Sequence, residues 1–286
     1  MRVLVLGKNG LLGKALVKSF QKEDFFALDR SELDLTNEHD VFEKLMTIQP
    51  ELVINATGYT NVEKAETEED EANKINGYAI GVLARACREI GATLVHFSTD
   101  YVFEGILKDG YDENARMNPI NAYGRSKMLG ELLLEEEMEL EDPNFRSEAG
   151  KYFIIRTSWL FGHGGISFVE KILTRLNEDE PIRVVDDQFG KPTYVNDLVE
   201  QVKWLIESNE YPSGIYHITN SEKTNWYQFA KEIVKLANGD ILKVGALKTA
   251  NLKMAAQRPL NSTLLNTKLP ELRSWKDALK DYFDTK

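Results

Sequence analysis

The first thirteen residues, MRVLVLGKNGLLG, constrain the fold more than any other stretch. Arg2–Leu6 is a short run rich in Val and Leu, the signature of a strand buried on both faces. It ends at Gly7, and a helical pattern follows from Leu11, with Leu12, Ala15, Leu16, Ser19 and Phe20 on one face. Between them, Gly7, Gly10 and Gly13 are spaced G-x-x-G-x-x-G, one residue longer in the first gap than G-x-G-x-x-G. The glycines allow a tight turn and close backbone approach to a pyrophosphate, the last lets helix and strand pack, and the helix N-terminus offers N–H groups and a positive dipole end. A merely structural turn is the alternative.

The rest of the chain keeps the rhythm. Phe25–Leu28, Leu52–Ile54, Thr93–Phe97 and Tyr152–Ile155 read as strands. Val41–Ile48, the long stretch Asp70–Ile90, and a segment through Tyr123 to about Met138 read as helices. Alternation at this spacing predicts βαβ units and a parallel sheet whose strands present their carboxyl ends along one ligand-binding edge. The fold class is therefore α/β, a Rossmann-type doubly wound parallel sheet with a smaller C-terminal substrate-binding lobe. Residues 1–161 form the dinucleotide-binding part and 162–286 the lobe, with segments near 193–220 returning to the sheet. In the lobe, the stretch to about Leu176, Val195–Ser208, Trp226–Leu236 and Trp275–Phe283 read as helices, and Ile215–Ile218 as a strand. The acidic stretch Glu135–Lys151 has no period and reads as a solvated excursion.

Composition removes several function classes. The 286 residues carry a net charge of −11 with no basic stripe, which argues against a nucleic-acid partner. Cys87 is the single cysteine, so no internal disulfide is available and a reducing compartment is expected. No apolar run is long enough to cross a bilayer, so no membrane partner is expected and the cytoplasm is the expected location.

The strand ends carry the chemistry. The second strand ends at Asp29-Arg30. Asp29 suits the ribose hydroxyls of an adenine dinucleotide, whereas Arg30, helped by Lys8, suits a 2′-phosphate, so NAD and NADP both stay open. Asp34 either covers the adenine with Leu35 or starts a helix with Thr36. Ala56, Thr57 and Gly58, after the third strand, either let a cofactor lie close or simply turn the chain. After the fourth strand, the hydroxyls of Ser98 and Thr99 can hold a carbonyl oxygen as it becomes an alkoxide, or Ser98, Thr99 or Asp100 can cap the next segment. Tyr123 and Lys127 lie four apart on one helix face. An ammonium beside a phenol lowers its pKa from ~10, which would let Tyr123 pass a proton to a carbonyl oxygen.

In order along the chain stand GKNGLLG, VINATGYTNVEKAE, HFSTDYVFEG, NAYGRSK, RTSWLFG, DDQFGKPT and QRPLNS. This set resembles the extended short-chain dehydrogenase/reductase superfamily, and within it the dTDP-4-dehydrorhamnose reductase family, over nearly the whole chain. The resemblance implies that Tyr123 donates the proton, Lys127 partners it and binds cofactor, and Thr99 completes the triad. It places Asn9, Gly10, Leu11 and Leu12 at the pyrophosphate, and Asp29, Arg30, Asp34 and Leu35 around the adenosine. Ala56, Thr57, Gly58 and Ser98 then line the cofactor. Asp100, Tyr101, Val102, Trp159 and Arg258 face the sugar nucleotide, although Val102 and Trp159 suit a core equally well. The implied cofactor is NADPH, with NADH as the alternative, and the implied partner is a dTDP-sugar.

Gly13 is followed by Lys14-Ala15, without the glutamate of the family's metal-linked dimers. No metal site is therefore expected, and a homodimer stays open. Two other activities share the resemblance. Dehydratases of this fold carry Asp-Glu after the Ser-Thr pair, where this chain has Asp100-Tyr101, and epimerases keep NAD through a closed cycle. A non-catalytic regulatory subunit, like that of methionine adenosyltransferase, would act through a partner.

Overall fold

The structure, a computed structural model, describes residues 1–140, 150–178, 180–208 and 210–285. The first half alternates β1 (Arg2–Leu6), α1 (Leu11–Phe20), β2 (Asp24–Leu28), α2 (Glu38–Ile48) and β3 (Leu52–Asn55). Then come α3 (Val62–Ala65), α4 (Glu69–Asn73), α5 (Ala79–Ile90), β4 (Thr93–Thr99), α6 (Ala122–Glu139) and β5 (Tyr152–Thr157). A sixth strand, Gly214–His217, joins beside β5, and the order across the sheet is β2-β1-β3-β4-β5-sixth. Every pair is parallel.

The chain crosses from β2 over β1 to β3, so the order reverses between β1 and β3, where open α/β sheets leave their ligand crevice. The register pairs Leu6 with Asn55, Asn55 with His96, and Thr99 with Thr157. Gly7, Ala56 and Asp100 thus leave the sheet at one edge. β1, β3 and β4 read as continuous apolar runs because helices cover both sides. Val41, Leu83 and Leu134 of α2, α5 and α6 pack with Leu4 and Val53 on one face. Leu16 of α1 and Val202 of the returning segment pack with Val3 and Ile54 on the other.

After β5 come α7 (Phe168–Leu176), α8 (Val195–Ser208), α9 (Trp226–Leu236) and α10 (Trp275–Asp284). α8 contributes Leu198, Val199 and Leu205 to the sheet's core, while α7, α9 and α10 build a separate cluster around Phe161, Phe229, Trp275 and Tyr282. That cluster also holds a parallel pair, Ile182–Val185 with Val244–Leu247, which the sequence reading does not contain. The two strands are about sixty residues apart, and each takes its meaning only from the other.

Asp70–Ile90 is helical throughout, as its pattern predicts, with a wide π-turn, Lys74–Tyr78, joining α4 to α5. That turn places Asn76 fully inside, where its amide brackets the Tyr59 backbone, accepting from the N–H at 2.8 Å and donating to the carbonyl at 2.9 Å. It also donates to Ser126 of α6 at 2.9 Å. A Cβ at Gly130 would run into the Asn76 carbonyl, so that glycine is what allows α6 to lie this close. The acidic excursion does not begin at Glu135: residues up to Glu139 continue α6, and 141–149 lie outside the described residues.

Candidate functional site

A cavity of about 600 Å³ opens at the β1/β3 crossover. Gly7, Asn9 and Gly10 form one wall, and Asp29, Arg30, Asp34 and Leu35 another, with Ala56, Thr57 and Gly58 opposite. Thr36, named in the sequence only as a helix-start partner of Asp34, completes it with Ser31, Leu33, Tyr59 and Ile75, which the sequence does not single out. Ser31 and Thr36 carried a signal, since each is the hydroxyl two residues after an aspartate. Gly7 has φ of 87°, and a Cβ there would sit 2.9 Å from the Ala56 carbonyl group. A Cβ at Gly13 would run into the Gly7 carbonyl. Lys14 makes the first N–H bond inside α1, to Gly10, so the N–H groups of Leu11, Leu12 and Gly13 have no carbonyl within the helix to reach. The first turn carries no acidic residue. Such a cradle accepts the phosphates of a dinucleotide. Leu12 itself points into the core, so only its backbone is available.

The second-strand end is more ordered than its sequence suggests. Asp29 accepts from the Ser31 N–H and hydroxyl and from the Asn9 amide, tying the glycine turn to β2. The Ser31 hydroxyl bond, then its N–H, holds the Asp29 carboxyl below its usual range. Asp34 lines the cavity and accepts from the N–H and hydroxyl of Thr36 in a local turn; it does not start the helix, which Asn37 caps. Lys8 is engaged by Glu32. Arg30 projects outward, with only distant carboxylates, Asp34 and Glu71, each at 3.8 Å.

Beyond the cavity, Asn121 caps α6, accepting from the Gly124 N–H at 2.7 Å, and this cap sets the first turn that carries Tyr123. The Thr99 hydroxyl lies within hydrogen-bonding reach of the Tyr123 phenol. Burial pushes that phenol up to about 12, with Thr99 acting against the rise and Asp100 adding to it. The expectation of a phenol lowered by its lysine is therefore overturned. Burial outweighs the neighbouring groups, and Lys127 directs its bonds elsewhere, to the Phe97 carbonyl at 2.7 Å and the His96 ring at 3.1 Å. Burial also pulls Lys127 down to about 8, opposed by Glu131.

The remaining expectations divide. Ser98 gives its hydroxyl to Glu131, inside a buried ion pair with Arg156, and so does not turn it toward a cofactor. Asp100 is buried, bonded by Ser262 and Thr99, with its carboxyl raised to about 7 by burial; it steadies Thr99 rather than facing an open site. Val102 is wholly buried with Phe103, Tyr111 and Leu264, because the short helical turn after β4 points it inward. Tyr101 lies edge-on to Tyr123 at 5.8 Å, and the Arg258 guanidinium sits 5.8 Å from the Tyr101 ring. Arg258 donates to Glu63 at 2.6 Å, while its buried Nη1 has no hydrogen-bond partner among the described residues. Trp159 stacks on Trp226 at 3.6 Å and covers Gly190.

A second cavity, about 580 Å³, lies in the lobe between Phe168, Trp226, Arg175, Arg183, Gln188 and Met254. A smaller one, lined by Leu252, Met254 and Arg258, lies next to it. Among the described residues, no group of His, Cys, Asp and Glu could hold a metal ion, and no helix is long and apolar enough to cross a membrane.

Known proteins resemble this chain over almost its whole length. The chain is 35% identical to the spore coat polysaccharide biosynthesis protein SpsK of Bacillus subtilis, over 98% of this chain and 96% of that one. It is 33% identical to the dTDP-4-dehydrorhamnose reductase of Burkholderia thailandensis, over 98% and 97%. The crystal structure of the dTDP-4-dehydrorhamnose reductase of Bacillus anthracis in complex with NADP superposes with a TM-score of 0.92 at 37% identity, covering 100% of this chain and 99% of that one. The RmlD substrate binding domain model matches residues 1–286, end to end, and the chain belongs to that family.

Proposed function

We propose that the chain is an NADPH-dependent reductase that converts dTDP-4-dehydro-L-rhamnose to dTDP-L-rhamnose. The observation that carries this reading is the Tyr123 phenol, buried at the carboxyl edge of β4 with the Thr99 hydroxyl in reach and kept protonated by burial. A proton donor for ketone reduction must hold its proton until needed, and a phenol at about 12 does so at neutral pH. Tyr123 gives that proton to the carbonyl oxygen, while the Thr99 hydroxyl, turning its hydrogen from Asp100, holds the same oxygen by a hydrogen bond. NADPH, when bound, supplies the hydride. The cradle from Gly7 to Gly13 holds its phosphates, and the Asp29–Leu35 wall holds its adenosine. Arg30, loosely paired, favours the 2′-phosphate of NADP over the free hydroxyl of NAD, and the Bacillus anthracis relative binds NADP. Lys127 reaches the ribose and stabilises the phenolate left behind.

On the sugar side, the unpartnered Nη1 of Arg258 is a buried donor awaiting an acceptor, as a substrate oxygen would be. We place the nucleotide in the lobe cavity, where Phe168 and Trp226 offer faces for a base and Arg175 and Arg183 offer cations for a diphosphate. Trp159 stacks on Trp226, which lines that cavity. This is the division of labour read from the sequence: 1–161 for cofactor and 162–286 for substrate, with 193–220 returning. Tyr101 stands where a dehydratase needs its glutamate, which disfavours elimination. We read the enzyme as cytoplasmic, consistent with a lone buried thiol, Cys87, and a homodimer is testable by sedimentation.

The test is to supply the keto sugar with NADPH and identify the product by NMR. The reading expects oxidation of one NADPH per sugar and a single product whose carbon-four hydroxyl has the configuration of L-rhamnose. A protein that binds NADPH but leaves the keto sugar unchanged, or returns it with water removed, refutes it.

A further inference from the structure

Behind the lysine runs a buried row of polar side chains whose hydrogens can be assigned by bookkeeping. Asn55 Oδ1 accepts from the Thr57 backbone N–H at 3.0 Å and from its hydroxyl at 2.7 Å. A backbone N–H is always a donor, so this end of the amide must be oxygen. The other end, Nδ2, is then a donor, and it lies 3.1 Å from His96 Nδ1. Nδ1 must accept. A neutral imidazole with Nδ1 bare carries its proton on Nε2, and Nε2 lies 3.1 Å from Lys127 Nζ. An ammonium has donors only, so a charged Lys127 would put donor against donor. Flipping Asn55 merely moves that clash to Thr57. Charging His96 is no escape, since it puts a donor against Asn55 as well. Only an uncharged Lys127, accepting from His96 and donating to the Phe97 carbonyl at 2.7 Å, satisfies every contact.

We propose that Asn55 and His96 are positioning residues that bias Lys127 toward its uncharged amine, and so lower the pH above which the lysine no longer stabilises the Tyr123 phenolate. Both residues are fully buried and Lys127 is 4% exposed, so water does not offer an alternative partner for the ring. Burial acts in the same direction, on the lysine and on His96, which it holds neutral. The other groups around Lys127 are few. Tyr123 and Glu131 share its helix; Asp100 follows β4; Arg156 of β5 is bound to Glu131. α3 and α4 present Glu63, Glu66 and Glu69, engaged by Arg258, the Ala122 N–H and Arg125. α5 turns Arg85 and Arg88 outward to Glu38 and Glu137.

The inference rests on the reductase reading only for its kinetic consequence. Long-range proton–nitrogen NMR on the full chain, at a pH above 8, reads the His96 tautomer directly, with His96→Phe assigning the signal. A proton on Nε2 is expected; a proton on Nδ1 overturns the proposal, whatever the enzyme catalyses. The second measurement is the pH profile of kcat/KM. A hydrogen bond that favours the neutral amine lowers the lysine's pKa, so His96→Phe should move the alkaline fall in rate to higher pH. A fall that stays in place while the whole curve drops means His96 only packs, and overturns the proposal. Should that variant not fold, the tautomer decides alone. A chain with no ketoreductase turnover but the Nε2 proton would sink the functional reading and leave this contact standing.

Discussion

Glu131→Gln tests how the site is held. Glu131 and Arg156 are 0% and 1% exposed, joined through Nε and Nη2, with the closest contact at 2.6 Å. Ser98 donates to the same carboxylate. Gln keeps the shape and one acceptor but leaves a guanidinium without its counter-charge, and breaking a buried pair in this way costs about 3–5 kcal/mol. One retained acceptor puts the expectation near the lower end, about 3 kcal/mol. For a chain of this size that corresponds to a fall in Tm of roughly 6–12 °C, read by thermal melting. Turnover should fall too, because Glu131 lies one turn after Lys127 and Ser98 directly precedes Thr99. The paired replacement Glu131→Leu with Arg156→Met removes both charges and should recover most of the loss. A Glu131→Gln melt within about 2 °C of the unmodified protein would refute the claim that this pair is fully desolvated and mutually dependent.

Gly7→Ala should lower NADPH affinity and stability together, since φ of 87° disfavours alanine and its Cβ meets the Ala56 carbonyl group at 2.9 Å; titration with NADPH checks it. Asp100→Asn should flatten the pH dependence of stability. The Asp100 carboxyl is raised to about 7 when folded, from about 4 when unfolded, so its contribution is full below about 4 and lost as pH rises to about 7. Melts from pH 4 to 8 should show the variant gaining on the original as pH rises; parallel curves would refute the assignment.

Much of this was legible beforehand because it is local. The glycine spacing fixes a turn that no other residue tolerates at Gly7, and each strand end follows from the apolar run before it. Tyr123 and Lys127 share a face by helix geometry alone. What escaped depends on distant partners. Ser98 was read as a ligand contact because nothing near it announces that Glu131, 33 residues on, takes its hydroxyl. Val102, which the sequence leaves open between a ligand face and the core, goes to the core because Phe103, Tyr111 and Leu264 close around it. The π-turn at Asn76 is invisible to a period count, since one wide turn leaves the helical pattern on either side intact. A YxxxK spacing specifies a cationic neighbour for Tyr123 but not its depth of burial, which pushes the phenol the other way.

The central claim is that Tyr123 is the proton donor, and Tyr123→Phe tests it most directly, with turnover and NADPH affinity measured on the same preparation. The account expects NADPH binding to stay unchanged while kcat falls by ~10²–10⁴-fold, the usual worth of general acid help. A variant that still reduces the keto sugar at close to the original rate would contradict it.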